Sequence, residues 1–334
     1  MNEFKKIAIT GGGGYVGSEL VPTLLEQGKE VTVLDLFIYG EDVFGEYSGH
    51  KNLRCINGDI RNKDDLREAF SESEAVIHLA CISNDPSFDL NPTLGKSINL
   101  DSFDGILSTL EETGVQRFIY ASSSSVYGVR EEADVKEDTP KNPLTDYSRF
   151  KLMCEEKLSE WKNPNKTDWT IIRPATVCGY GKRLRLDLTV NLLTIHALIN
   201  NSIKVFGGKQ LRPNIHINDM VRVYTTVLEA DSEKIHGKVF NAGYENRSVE
   251  DIALMVAEEV GKDSIEIDYV PTDDIRSYHV NSDKIGRELG FETKHTIEDA
   301  ITGIIAAYNK GTVKDGMNNP LYYNIKRMQE LNLS

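Results

Sequence analysis

The sequence has few cysteines, little positive charge and no long apolar run. Its four cysteines, Cys55, Cys81, Cys154 and Cys178, are widely separated and form no CxxC pair, which argues against a disulfide framework or a zinc site. The net charge of −14 disfavours nonspecific binding to nucleic acid or to an anionic membrane surface. Because no run of about 18 apolar residues is present, we expect no membrane-spanning helix.

The first six residues lack the apolar core of a signal peptide and run directly into a strand pattern. Together with the isolated cysteines, this favours a cytoplasmic protein with reduced thiols. What the chain does have is length. Its 334 residues are enough for one large domain, or for a domain with a smaller lobe.

Four consecutive glycines follow the apolar strand pattern of residues 6–10 and precede a helix pattern that extends to about Gln27. The next strand pattern, residues 30–35, ends on a carboxylate. This strand–helix–strand opening is typical of dinucleotide binding. Two glycine registers fit it, GxGxxG or GxxGxxG, formed by Gly12 or Gly11 with Gly14 and Gly17. Glycines allow a close backbone approach, and the helix N-terminus attracts a diphosphate.

Asp35 indicates which dinucleotide binds. A carboxylate at the end of the second strand accepts hydrogen bonds from the adenosine ribose hydroxyls. It would also repel a 2′-phosphate, and no arginine or lysine occurs in residues 36–39. The sequence therefore favours NAD over NADP.

Strand and helix patterns alternate over the first half of the chain, with further strands near residues 53–57, 75–80, 116–121 and 170–173. Alternation predicts an α/β fold with a Rossmann-type, doubly wound parallel sheet over residues 1–174. Beyond it the alternation fades, and we expect a smaller mixed α/β substrate lobe over residues 175–310, with some segments returning to the main sheet. Residues 311–334 form a polar tail that looks irregular.

Some polar residues near the strands allow more than one interpretation. Asp59 could accept a hydrogen bond from an adenine amino group, or it could cap a helix or turn. His78 lies inside an apolar strand pattern and is predicted to be a core histidine. Ser83 and Asn84 follow the fourth strand, where they could line the sugar side of a pocket.

Tyr147 and Lys151 are four residues apart at a predicted helix start, so they share one face. A phenol has an ordinary pKa of about 10, and a nearby ammonium or cationic ring would favour the phenolate. Ser123 belongs to a run of four serines at the carboxyl end of a predicted strand, where ligands bind in such sheets. It could hold a substrate hydroxyl for that phenolate. Taken alone, the tyrosine–lysine pair also fits an ordinary amphipathic helix.

The order and spacing of these motifs closely resemble the extended short-chain dehydrogenase/reductase family, in its nucleotide-sugar epimerase and dehydratase branch. The resemblance covers roughly residues 5–309. It rests on the segments 10–17, 58–60, 78–80 and 122–128, on Asn99, and on Tyr147 with Lys151. It implies NAD as the cofactor, a nucleotide-sugar substrate, and a homodimer formed through the helices near 92–113 and 147–161.

The resemblance also implies roles for individual residues. Tyr147 would be the general base and acid, Ser123 its partner, and Lys151 the group that binds the nicotinamide ribose and lowers the pKa of the tyrosine. The residues expected to bind NAD are Gly11, Gly14, Tyr15, Val16, Gly17, Asp35, Asp59, Ile60, Leu79, Ala80, Asn99, Lys151 and Pro174. Those expected to bind the substrate are Ser83, Asn84, Ser123, Thr176, Asn191, Val205, Arg212 and Arg276.

Within the substrate set, Asn191 and the two arginines would meet the diphosphate, because a guanidinium can bind phosphate oxygens with two donors. Val205 would flank the nucleobase. Thr176 replaces the family's usual asparagine, which puts its sugar contact in doubt. A loop at residues 183–187 contains two further arginines, and it could reach an anionic or long sugar or be a solvated loop.

The residues after Ser123 bear on the chemistry. In the 4,6-dehydratases of this family, an aspartate and a glutamate follow the catalytic residue, whereas this chain has Ser124 and Ser125. A dehydratase is therefore not expected. The reaction that remains is hydride transfer at a sugar carbinol, which we expect at carbon 4. The enzyme would then be an epimerase, a dehydrogenase or a ketoreductase. The alternative from another class is a dinucleotide-binding scaffold without turnover.

Overall fold

A computed structural model describes residues 4–130, 134–261, 265–272, 277 and 279–333. Twelve strands occur in this part of the chain. In chain order they are β1 (Lys6–Thr10), β2 (Glu30–Asp35), β3 (Leu53–Asn57), β4 (Ala75–His78), β5 (Arg117–Ala121), β6 (Asp168–Pro174), β7 (Thr176–Cys178), β8 (Ser202–Phe206), β9 (Leu211–His216), β10 (Lys238–Ala242), β11 (Glu245–Ser248) and β12 (Glu266–Val270).

Thirteen α-helices occur in the same part of the chain. They are α1 (Gly17–Glu26), α2 (Lys63–Phe70), α3 (Asp85–Leu90), α4 (Pro92–Lys96), α5 (Phe103–Thr113), α6 (Asp146–Ser159), α7 (Thr189–Asn200), α8 (Ile217–Glu229), α9 (Ser232–Ile235), α10 (Val249–Val260), α11 (Asp283–Leu289), α12 (Ile297–Asn309) and α13 (Asn324–Glu330). None of the helices in the described ranges is both long and apolar enough to cross a lipid bilayer.

Seven parallel strands form the main sheet, in the order β10-β6-β5-β4-β1-β2-β3. The strand order reverses between β1 and β4, which creates a crevice at the carboxyl ends of these two strands. The predicted doubly wound sheet is confirmed. Strand β10, from the second half of the chain, pairs with β6 at one edge of this sheet.

Both faces of the sheet are covered, which explains the continuous apolar strand patterns. Successive side chains of a strand point to opposite faces, and β1 shows this directly. Ile7 and Ile9 belong to one buried cluster with residues of α1 and α8, whereas Ala8 belongs to a second cluster with residues of α2 and α5.

A smaller lobe contains a three-stranded sheet, β11-β9-β7, and a two-stranded sheet, β12-β8. Helices α7, α10 and α12 pack around a third buried cluster that includes Val190, Ile252 and Ile301. This lobe has the mixed α/β character that the sequence predicts.

Two predictions about the elements are wrong. The helix pattern over residues 92–113 is interrupted, because a π-helical segment, Ser97–Asp101, separates α4 from α5. Such wide turns often occur at functional sites. The tail is also not irregular, since it contains α13 and its Met328 is buried.

Candidate active site

A cavity of about 490 Å³ lies at the crevice between β1 and β4. It brings together 18 of the residues predicted for the site. These are Gly11, Gly14, Tyr15, Val16, Gly17, Asp35, Asp59, Ile60, Leu79, Ala80, Ser83, Asn84, Ser123, Tyr147, Lys151, Pro174, Thr176 and Arg212. The carboxyl ends of several strands therefore converge on one site, as the parallel topology requires.

The glycine-rich loop at one end of the cavity fits a diphosphate. Gly11 has φ of +73°, and a Cβ atom placed there would lie 2.5 Å from the backbone nitrogen of Ala80. A Cβ on Gly17 would fall on the carbonyl group of Gly12. Because Gly11 and Gly17 have no side chains, a diphosphate can approach the backbone of this loop closely. Helix α1 begins at Gly17, so its positive end lies beside the cavity.

Asp35 connects this loop to the end of β2. One carboxylate oxygen accepts a 2.9 Å hydrogen bond from the Gly13 N–H, and the other accepts a 2.7 Å bond from the Phe37 N–H. Burial raises the pKa of Asp35, although these two bonds and the charge of Arg183 oppose the shift. The carboxylate lines the cavity, at the position expected to meet ribose hydroxyls.

Ser123 and Tyr147 both line the cavity, and the Ser123 side chain acts to lower the pKa of Tyr147. The Ser123 Oγ also accepts a 3.1 Å bond from the Ser125 N–H and a 2.9 Å bond from the Ser125 hydroxyl. Two accepted bonds leave the single proton of Ser123 free to be donated. Helix α6 holds Tyr147 at its second residue, after an N-cap formed by Thr145.

Lys151 follows Tyr147 by one turn on α6, and it is buried at the cavity. Its ammonium donates a 2.7 Å hydrogen bond to the Ala121 carbonyl and lies 5.1 Å from the centre of the Tyr120 ring. Burial raises the pKa of Tyr147, and the nearby Cys81 and Asp85 raise it further. Ser123 and Arg185 oppose this shift, and a lowering of the Tyr147 pKa by Lys151 stays a prediction.

Comparison with known proteins agrees with this geometry. The model of the NAD-dependent epimerase/dehydratase family matches residues 7–243. The chain belongs to this family. NAD is its cofactor, and the glycine loop, Asp35 and Lys151 fit that molecule. The match spans both the glycine loop and the pair formed by Ser123 and Tyr147.

Named relatives of this family member include both epimerases and dehydratases. The UDP-glucose 4-epimerase of Corynebacterium glutamicum is 26% identical, over 88% of this chain and 94% of its own length. A dTDP-glucose 4,6-dehydratase of Streptomyces griseus is also 26% identical, over 91% of this chain and 94% of its own length. The comparisons thus do not support the exclusion of a dehydratase.

A third relative matches a shorter region. The uncharacterised protein y4nG of Sinorhizobium fredii is 35% identical over 54% of this chain, which spans 43% of that protein.

Among solved structures, UDP-glucuronic acid 4-epimerase from Bacillus cereus, in complex with UDP-glucuronic acid and NAD, superposes with a TM-score of 0.83. It is 25% identical, over 91% of this chain and 99% of its own.

Two predicted site residues of this family member lie behind the cavity wall. The Asn99 amide forms a pair of 2.9 Å hydrogen bonds with the N–H and carbonyl of Ile82. It therefore fixes the loop after β4 and does not reach the cavity. Asn191 is fully buried and bonds to the Gly179 N–H and to the Arg185 carbonyl. Its predicted contact with the diphosphate is wrong, because its amide is used inside the protein.

Other predictions are wrong or fall outside the described residues. Val205 is fully buried in the core of the smaller lobe, so it cannot flank a nucleobase in the cavity. Arg276 lies outside the part of the chain that the structure describes. Asp59 lines the cavity, and its carboxylate bonds to Arg61, including a 2.5 Å contact. His78 is 5% exposed, which confirms the interpretation as a core histidine.

The loop of residues 183–187 is not solvated. Arg183 and Arg185 are 4% and 8% exposed, and both line the cavity. The C-terminal segment lines it too, through Asn324, Met328 and Leu333. Sequence reasoning missed this segment, for which the only signal was the weak apolar spacing of α13.

Proposed function

We propose that the protein is a nucleotide-sugar epimerase or 4-oxidoreductase that acts at a sugar carbinol, at carbon 4. The observation that carries this proposal is that Ser123 and Tyr147 line the same cavity as the glycine loop, with the Ser123 side chain close enough to lower the pKa of Tyr147. A phenol and a hydroxyl that line one cavity in this way are suited to move one proton to or from a substrate hydroxyl.

In this proposal Tyr147 takes the proton of the sugar hydroxyl. Ser123 holds the same oxygen, since the two bonds that it accepts from Ser125 direct its own proton outward. When the sugar is reduced again, Tyr147 returns the proton to the oxygen. NAD supplies the hydride acceptor and donor for the carbon centre.

The remaining residues position the cofactor. The Lys151 ammonium has three donors, and its bond to the Ala121 carbonyl leaves capacity for a ribose hydroxyl. Asp35 accepts hydrogen bonds from the hydroxyls of the adenosine ribose. Pro174, the last residue of β6, and Thr176, the first of β7, line the cavity wall. We propose that residues 1–174 chiefly bind NAD and that residues 175–310 chiefly bind the nucleotide sugar, with Ser83, Asn84 and Arg212 at the substrate side.

Elimination of water is disfavoured by the residues next to Ser123. A dehydratase of this type needs an acid and a base there, and Ser124 and Ser125 provide only hydroxyls. The Ser125 hydroxyl is already engaged with Ser123, and Ser124 is 2% exposed. These observations favour an epimerase, or a dehydrogenase or ketoreductase that releases its product, although the relatives include both classes.

The test is a panel of UDP-, dTDP-, GDP-, CDP- and ADP-sugars. Each is incubated with the full chain, and products are scored by NMR for inversion at carbon 4, for NADH formation and for loss of water. An epimerase gives inversion without net NADH. Stoichiometric NADH would indicate a dehydrogenase, and a 4-keto-6-deoxy product would overturn the exclusion of a dehydratase.

Tyr147→Phe separates catalysis from a binding-only scaffold. We expect turnover to fall by at least a hundredfold, because general acid–base catalysis contributes about that much or more. Dinucleotide binding should persist. If wild-type protein converts no sugar and the variant binds NAD equally well, the scaffold alternative is supported.

We also propose a cytoplasmic homodimer that pairs through α5 and α6. Met153 on α6 is 40% exposed, which is consistent with an uncovered apolar position on this surface. Light scattering of Met153→Glu should give a monomer if the surface is the interface. A dimer of unchanged stability in this variant would contradict it.

A further inference from the structure

Arg183 is buried beside the cavity with an incomplete set of hydrogen bonds. Its guanidinium donates a 2.6 Å bond to the Asn324 side-chain oxygen and lies 3.5 Å from the centre of the Tyr39 ring. Its Nε has no hydrogen-bond partner among the described residues. Burial lowers the pKa of Arg183 to about 10. A buried cation with an unused donor calls for an anionic group.

This side chain lies at the cofactor end of the cavity. The Arg183 N–H donates a 3.1 Å bond to the Ser18 hydroxyl, in the first turn of α1. The Tyr15 hydroxyl donates to the Gly179 carbonyl, which brings the same loop against the glycine-rich turn. The charge of Arg183 also acts on Asp35. Arg183 and the positive end of α1 therefore face the same part of the cavity, its cofactor end.

The nearby carboxylates do not satisfy Arg183. Asp35 accepts its two bonds from backbone N–H groups. Asp187 accepts a 2.9 Å bond from the Arg185 Nε and a 3.0 Å bond from the Asn324 N–H. The anion that would complete the environment of Arg183 must therefore enter the cavity.

Helix α13 fixes Arg183 and crosses the crevice. Its first residue, Asn324, accepts a 2.8 Å bond from the Tyr39 hydroxyl and donates a 3.0 Å bond to the Ser83 hydroxyl. Tyr39 follows β2 and Ser83 follows β4, so this one side chain connects the loops on both sides of β1. Arg327 adds a bond to the Ile38 carbonyl, and Met328 lines the cavity beneath the helix.

We propose that Arg183 and the C-terminal segment 320–333 form a clamp that binds the diphosphate of NAD and keeps the cofactor in place between turnovers. The glycine loop and α1 would hold the diphosphate from one side and Arg183 from the other. The inference deepens the proposed function, on which it rests. Retention suits an epimerase, which oxidises and then reduces the same sugar with no net change in the cofactor.

The test measures cofactor exchange in the full-length protein. Bound NAD is exchanged against excess isotopically labelled NAD, and release is followed by mass spectrometry. Arg183→Gln and Asn324→Ala should each release NAD about tenfold to a hundredfold faster than wild type, as expected for loss of a hydrogen bond to a charged group. Gln329→Ala, an exposed position on the same helix, is the matched control and should not change the rate. Unchanged release in both test variants would overturn the clamp.

A second arm identifies the anion by equilibrium binding to NAD-free protein. Arg183→Gln should weaken ADP-ribose but not adenosine, and thermal unfolding should show that the variant remains folded. Equal weakening of both ligands would overturn the assignment. So would weaker binding of UDP to the NAD-loaded variant, because that result would place Arg183 at the substrate.

The two proposals fail in different ways. If wild-type NAD exchanges within seconds while sugar is still inverted, the clamp is wrong and the epimerase stands. If NAD is retained and Arg183→Gln releases it, but no sugar is inverted, the clamp stands and the proposed reaction is wrong.

Discussion

Arg173 and Glu155 form a two-pronged ion pair directly behind the serine run. The Arg173 Nε and Nη2 donate to the two Glu155 carboxylate oxygens at 2.9 and 2.6 Å, with side chains 2% and 6% exposed. Glu155 also accepts a bond from the Ser122 hydroxyl, and Arg173 donates to the Tyr127 hydroxyl at 2.8 Å. The pair thus joins β6 and α6 to the serine run and fixes Tyr147 relative to its neighbour Ser123.

Removal of this pair's carboxylate should be strongly destabilising. Glu155→Ala leaves the Arg173 guanidinium buried without a counter-ion, and we expect the free energy of unfolding to fall by about 3–5 kcal/mol. Glu156→Ala, the exposed neighbour on the same helix, should change it by less than about 0.5 kcal/mol. Denaturant unfolding followed by circular dichroism measures both. Similar stabilities for the two variants would show that water solvates Arg173.

Gly11→Ala should abolish NAD binding. The Cβ would lie 2.5 Å from the Ala80 nitrogen, so the loops after β1 and β4 must separate. Gly114→Ala is the matched control, because Gly114 has a similar φ of +71° but no atom within 4 Å of its Cβ position. Both variants carry the strain of a left-handed residue, about 1–2 kcal/mol. Calorimetry should show lost NAD binding in Gly11→Ala alone, and equal affinities would contradict the close approach.

His78 should make stability depend on pH. Burial lowers its pKa from the ordinary 6.5 to about 3, while its Nδ1 lies 2.6 Å from the Thr10 hydroxyl. Between these two pKa values the unfolded chain binds a proton that the folded protein does not. The stabilisation from His78 is therefore complete above pH 6.5 and is lost as the pH falls towards 3, by about 1.4 kcal/mol per pH unit.

The comparison for His78 is the variant His78→Gln, which does not titrate. Between pH 7 and pH 5, the free energy of unfolding should fall by more in wild type than in the variant. An equal dependence of the unfolding free energy on pH in both proteins would mean that His78 is protonated in the folded protein, or that the His78 side chain stays out of contact with water in the unfolded state.

The sequence predicted the part of the site that depends on local patterns. The glycine loop, Asp35, Ser123 and the spacing of Tyr147 and Lys151 are each set by residues within one strand–turn–helix unit. Their convergence then follows from the parallel sheet, because the carboxyl ends of its strands meet at one edge.

The errors concern side chains whose partners are distant in the chain. Asn191 bonds to Gly179 and to the Arg185 carbonyl, and no local pattern reveals that the intervening loop folds back. Val205 alternates with exposed neighbours on β8, so a one-residue shift in its register reverses its direction. Asn324 reaches Ser83 across 241 residues, which made the contribution of the tail invisible to sequence patterns.

Arg185 should control the pH at which the enzyme works. Its Nη1 donates a 3.1 Å bond to Ser83 and its Nε a 2.9 Å bond to Asp187. Its charge lowers the pKa of Tyr147, against burial and the effects of Cys81 and Asp85, which raise that pKa. Because a base must be deprotonated to act, kcat/KM rises with pH until Tyr147 is ionised.

Arg185→Gln should therefore raise the pKa of Tyr147 and move the rising limb of the kcat/KM profile to higher pH. Activity would be lost at neutral pH and largely recovered under alkaline conditions. Asp85→Asn removes a charge of opposite sign and should move the limb to lower pH. Arg149→Gln, on the exposed side of α6, the helix that carries Tyr147, is the control and should leave the limb in place. If Arg185→Gln lowers the rate equally at every pH, Arg185 acts by holding Ser83 in position, and its charge does not set the ionisation of Tyr147.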